Sequence, residues 1–160
     1  MSSIVIVDTS VLLNIMDVPD RNQRKDAVLD RLGGLIEAGD HLFIPMAAIV
    51  EVGNHIAQVK NGAQRRAAAE RFVKEVRAAL ADEAPWKPIN FPSNQAVLSW
   101  LDAFPDCATQ GVGMGDLSIR KEWEELCRRH RMSHVWVWTL DRDLASLDRP
   151  AHAGLRRRRP

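Results

Sequence analysis

The sequence has no apolar run long enough to cross a bilayer as a helix, which argues against a membrane-spanning chain. Its first ten residues, MSSIVIVDTS, lack the basic start and long apolar stretch of a secretory signal, so the default expectation is a cytoplasmic address. Cysteine is scarce: Cys107 and Cys127 stand far apart, and neither belongs to a C-x-x-C pair. They read as reduced thiols rather than as a disulfide framework or a zinc site. Internal repeats and long linkers are missing. So are a P-loop, a dinucleotide-binding fingerprint and a Ser/His/Asp set. The net charge of +1 says nothing by itself about nucleic acid.

What is present suits an ordinary globular protein. The 160 residues are 46% hydrophobic and 27% charged. One domain over residues 1–150 is expected, followed by a basic, disordered tail over 151–160. Four of the positive charges lie in Arg156–Arg159, so the rest of the chain carries a net −3. Such a tail can attract phosphate backbones. It can equally be a solvated end.

Periodicity indicates alternating strands and helices. Ile4–Val7 is a continuous β-branched run, as in a strand of a parallel sheet buried on both faces. A short helix is expected at Val11–Ile15, then one from Asp20 to Ala38 closed by Gly39. A strand at His41–Ile44 leads to Pro45, which opens a helix with Ile49, Val52, Ile56 and Val59 inside. Asn61-Gly62 ends that helix, and an Arg-rich helix runs from Ala63 to Ala81. A short strand at Pro88–Phe91 and a helix capped by Ser93 follow. Thr109–Gly115 reads as a Gly-rich loop before a helix from Asp116 to His130. Val135–Trp138 is another buried strand, and Asp141–Leu147 one or two helical turns. The class is α/β with a mainly parallel sheet.

Four acids stand out by placement. Asp8 directly follows the first strand, and in open α/β sheets ligands bind beyond the carboxyl ends of strands. Asp141 lies three residues after Val135–Trp138. Asp116 opens a helix three residues before Ile119, and Glu51 adjoins a buried stripe. Together they would repel one another unless they shared divalent cations, and Mg²⁺ or Mn²⁺ favours oxygen ligands. Each has a plainer reading: Asp8, Asp116 and Asp141 as helix caps, Glu51 as a solvated helix acid. His55 sits four residues after Glu51 on one helix face, where packing is the plainer role.

The stretches IVIVDTSVLLN, FIPMAAIVEVGNH, GVGMGDLSIRKEW and VWVWTLDRDL, in this order, resemble the PIN domain family, and its small VapC-like toxins in particular. The resemblance spans nearly the whole chain. It implies a three-layer α/β/α fold and a Mg²⁺- or Mn²⁺-dependent endoribonuclease in which Asp8, Glu51, Asp116 and Asp141 are the catalytic, metal-binding acids. Thr9, Ser10, Thr139 and Asp143 match supporting positions. It further implies an RNA substrate, a cognate antitoxin partner and a homodimer. Leu117, Ser118, Ile119 and Arg120 depart from the small residues usual after the third acid. Arg120, Lys121 and Arg142 are candidate RNA contacts, with the basic residues of 65–77 beside them; each can also be a plain surface charge.

Three other functions fit the same sequence less well, one of them a DNA-directed flap-type nuclease, which usually needs a larger chain. A non-catalytic RNA-binding or assembly module would not need all four acids. A haloacid-dehalogenase type phosphatase needs Asp-x-Asp after strand one, where Ser10 stands at the third position.

Overall fold

The computed structural model describes residues 2–152. A five-stranded sheet forms its centre, in the order β3 (Trp86–Pro88), β2 (His41–Ile44), β1 (Ile4–Val7), β4 (Val135–Trp138), β5 (Asp148–Arg149). The first four are parallel; β5 runs antiparallel on the edge beside β4. All of β1 is buried, as its unbroken β-branched run requires.

The two faces of the sheet are covered separately. Val5, Val7, Leu42, Ile44 and Trp138 face one cluster, filled by α1 (Thr9–Ile15), α2 (Lys25–Glu37), α3 (Met46–Ala57) and α4 (Gly62–Leu80). Ile6 and Val137 face a second cluster with Ile119, Trp123 and Leu126 of α6 (Met114–Arg129). Helix α5 (Asn94–Thr109) packs against α6 and buries no residue fully. The layers are therefore α/β/α. Among the described residues no helix is long and apolar enough to cross a membrane.

Several boundaries differ from the sequence expectation. Helix α2 begins at Lys25, not Asp20, because Asp17 (φ 52°) and Asp20 (φ 65°) adopt the left-handed conformation, which a right-handed helix cannot contain. Asn61 caps α4 by accepting from the Gln64 N–H, whereas α3 already ends at Ala57. The third strand lies at Trp86–Pro88, two residues earlier than expected, because the buried indole of Trp86 anchors it to the core. Helix α6 begins at Met114, so Gly115 and Asp116 are inside its first turn and the expected loop is shorter. Residues 141–147 form consecutive turns and no helix. Of the expected tail, all but Ala151 and His152 lies outside the described residues.

Candidate active site

The strand order turns outward from β1 in both directions. This makes the gap beyond the carboxyl ends of β1 and β4 a topological switch point, where open sheets hold ligands. Asp8 stands there. Its N–H donates to the Trp138 carbonyl at 3.0 Å, extending the β1–β4 ladder by one residue and setting Asp8 beside Thr139.

Asp8 is 5% exposed, and three donors converge on one oxygen of its carboxylate. Oδ2 accepts from the Thr139 hydroxyl (2.8 Å), the Ser10 hydroxyl (2.9 Å) and, more weakly, the Ser10 N–H (3.4 Å). The last of these is the N-cap contact of α1. The capping role of Asp8 is thus real, and it occupies one oxygen. Among the described residues Oδ1 has no protein partner. Ser10 and Thr139 extend the network further: the Ser10 hydroxyl accepts from the Leu140 N–H, and the Thr139 hydroxyl from the Asp141 N–H, each at 2.9 Å.

Glu51 reaches the same region from α3. The Thr9 hydroxyl donates to its Oε2 at 2.6 Å, which makes Glu51 a fastened acid rather than a solvated one. Its Oε1 lies against the Cα of Gly115, where an added Cβ would collide with it. Asp116 follows directly on α6. Gly113, not Asp116, is the N-cap of that helix, so the capping explanation fails for Asp116. Asp141 accepts from the Asp143 N–H at 3.1 Å and closes a turn at the end of β4.

Contacts thus connect the elements bearing all four acids. Thr139 links Asp8 to the segment holding Asp141, Thr9 links α1 to Glu51, and Glu51 lies against the residue before Asp116. Burial, then the charges of Asp8, Glu51, Asp141 and Asp143 in that order, push the Asp116 carboxyl above its usual range. None of the five acids makes an ion pair among the described residues.

The donor chemistry, several carboxylate oxygens without protein partners, suits a hard divalent cation. However, among the described residues no three His, Cys, Asp or Glu side chains are gathered in the spacing of a ligand set. The acids share an electrostatic field, which acts over longer distances than coordination. Rotation of side chains such as Asp116, which holds no hydrogen bond, would have to bring them closer.

The candidate RNA contacts are dispersed. Lys121 is paired with Glu124 at 3.1 Å and lines a groove between α5 and α6. Arg120 is half-buried, with its Nε buried and unpartnered. Arg142 is exposed, one residue after Asp141. His55 does not join the acids; it lines a separate pocket. Sequence reasoning missed the role of Gly115. The adjacency of a glycine to Asp116 is its only trace in the sequence, and loop composition accounts for that glycine equally well.

No family model and no curated protein matches the chain. Solved structures similar to it include the following two. FitAcB from Neisseria gonorrhoeae matches with 20% identity and a TM-score of 0.53, over 86% of this chain and 87% of that one. VapBC2 from Rickettsia felis, bound to a DNA fragment from their promoter, matches with 14% identity and a TM-score of 0.54, over the same shares. At such identities the likeness speaks for the fold: a three-layer α/β/α domain with a mainly parallel sheet, of the kind these two structures contain.

Proposed function

We propose that the chain is a Mg²⁺- or Mn²⁺-dependent endoribonuclease with Asp8, Glu51, Asp116 and Asp141 as its catalytic acids. The observation that carries this reading is the convergence of elements. Acids from the ends of β1 and β4 and from α3 and α6, far apart in sequence, are carried by elements that come together at one switch point, near enough for their charges to act on Asp116. The motif resemblance to PIN domains and the similar folds of FitAcB and VapBC2 support it.

Asp8 Oδ1, Glu51 Oε1 and the Asp116 carboxylate are the oxygens available to hold the ion. When bound, such a cation supplies Lewis-acid polarisation of the phosphodiester and offsets charge on the leaving oxygen. Thr139 and Ser10 fix the Asp8 carboxylate by holding Oδ2, so Oδ1 keeps one direction. Thr9 does the same for Glu51. Asp143 adds negative charge at the rim, and Arg142 beside it offers a cation to the substrate backbone.

In the same reading the chain is the toxin of a toxin–antitoxin pair, with a cognate antitoxin and a second copy as partners. Phe91, Leu98 and Leu101, which are 78%, 60% and 50% exposed, provide apolar surface such partners could cover.

The test is a gel assay of the purified full chain on single-stranded RNA, structured RNA and DNA with Mn²⁺ or Mg²⁺. RNA cleavage by the wild type should fall at least about 100-fold in Asp8→Asn, at unchanged circular dichroism. Full activity in Asp8→Asn would sink the assignment. The absence of a preformed ligand set among the described residues favours a second reading, a non-catalytic RNA-binding or assembly module. Calorimetric titration with Mn²⁺ separates the two, because only the enzyme needs a stoichiometric cation.

A further inference from the structure

A second pocket, of about 430 Å³, opens where the carboxyl end of α3 meets the segment between α1 and α2. Arg21, Lys60, His55 and Asp20 line it. Its walls are fastened. Asp17 pairs with Lys25 at 2.9 Å and accepts from Asn22 at 2.7 Å, while Arg71 donates to the Asp17 carbonyl at 2.9 Å. On the other side Arg65 donates to the carbonyls of Val59 (2.8 Å) and Lys60 (3.2 Å).

The charges on these walls are not matched in the same way. Among the described residues neither Arg21 nor Lys60 makes an ion pair, and Asp20 pairs with neither. The α5–α6 groove offers a contrast: its Lys87, Lys121, Arg128 and Arg129 are each paired with an acid. His55 also borders the pocket, with its Nδ1 buried and without a hydrogen-bond partner. Two unpaired cations, Arg21 and Lys60, against one carboxylate, Asp20, give this concave surface a net positive charge. A guanidinium and an ammonium are the side chains that bind phosphate oxygens most strongly.

We propose that this pocket binds a phosphate group, and that the phosphate belongs to the backbone of the RNA strand bound at the acids. The second half rests on the nuclease reading. The two sites share one helix face: His55 follows Glu51 by four residues, a rise of about 6 Å along α3. A strand laid over the acids and along this face passes Arg21 and Lys60.

The experiment uses the full chain in EDTA, where no cleavage occurs, and compares wild type, Arg21→Ala/Lys60→Ala and a charge-matched control, Arg129→Ala/Arg131→Ala. Inorganic phosphate is titrated while the His55 ring is followed by NMR, and binding of a single-stranded oligoribonucleotide is measured across a salt series. Phosphate should shift the His55 signals in wild type and control but not in the pocket variant. RNA affinity should fall about tenfold in the pocket variant alone. The slope of log affinity against log salt should drop by about 0.7 for each phosphate that the variant no longer neutralises. Equal reductions of affinity in both variants, or no His55 response to phosphate, would overturn the proposal. A phosphate response with unchanged RNA affinity would overturn the RNA source and leave a site for free phosphate. A wild type that binds RNA through this pocket but cleaves nothing with Mn²⁺ would refute the nuclease reading alone.

Discussion

At the scale of single residues, Gly115 shows how one missing side chain shapes the site. Its backbone is ordinary helix, so an alanine would fit the conformation and would favour α6 by about 1 kcal/mol. What the alanine would meet is the Glu51 carboxylate, the far end of a side chain that Thr9 holds at Oε2 and that would have to move aside. Gly113, two residues earlier, has open space around it and carries no such constraint. Gly115→Ala should therefore leave the melting temperature unchanged or slightly raised, yet lower RNA cleavage at least about tenfold by displacing Glu51. Gly113→Ala should do much less. Equal cleavage by wild type and Gly115→Ala would show that Glu51 is not needed where it stands.

At the scale of elements, α6 carries acids of two kinds. Asp116 in its first turn belongs to the proposed site. Glu122, further along the same helix, faces the α5–α6 groove with its Oε2 buried and unpartnered. Burial pushes the Glu122 carboxyl up to about 7, from an ordinary 4.5. The folded state therefore disfavours its charged form: the stability present below pH 4.5 is lost as pH rises through 7. Glu122→Gln should gain on wild type in urea unfolding at about pH 8.5 relative to about pH 5, by at most about 3 kcal/mol. A difference independent of pH would mean that the carboxyl is solvated or paired.

The elements also show what local pattern could reveal. β1, β2 and β4 stand where their apolar runs indicated, because a buried parallel strand needs little beyond such a run. The start of α2 was not legible. Asp17 is held in its left-handed turn by contacts with Lys25, Asn22 and Arg71, the last of them on α4, and no local pattern announces such a contact. The edge strand β3 lies two residues from its expected place because three residues carry almost no periodicity.

At the scale of the whole molecule, the fold gathers negative charge at one sheet edge. The raised Asp116 carboxyl is the sign of that cost. Its stabilising contribution is present at acid pH and lost as pH rises through its folded value, so at neutral pH without metal Asp116 destabilises the protein. Asp116→Asn should raise the melting temperature at about pH 7.5 in EDTA, and should do so less at acid pH. Mn²⁺ should raise the melting temperature of the wild type and leave the variant nearly unmoved. Equal shifts in both proteins would place any bound Mn²⁺ away from Asp116.

Sequence alone was enough for the α/β class and the three core strands, and it singled out the four acids of the proposed site, because burial periodicity and the residues next to strand ends are local properties. It could not decide whether Asp8 was a cap or a site residue; in the structure the cap and both hydroxyls take Oδ2, which leaves Oδ1 without a protein partner among the described residues. Nor could it foresee the hydroxyls that hold Asp8 and Glu51, the place that Gly115 leaves for Glu51, or the unpaired charges around His55. Thr139 stands 131 positions from Asp8, and Thr9 stands 42 from Glu51; only the packing of the chain brings residues so far apart within a hydrogen bond of one another.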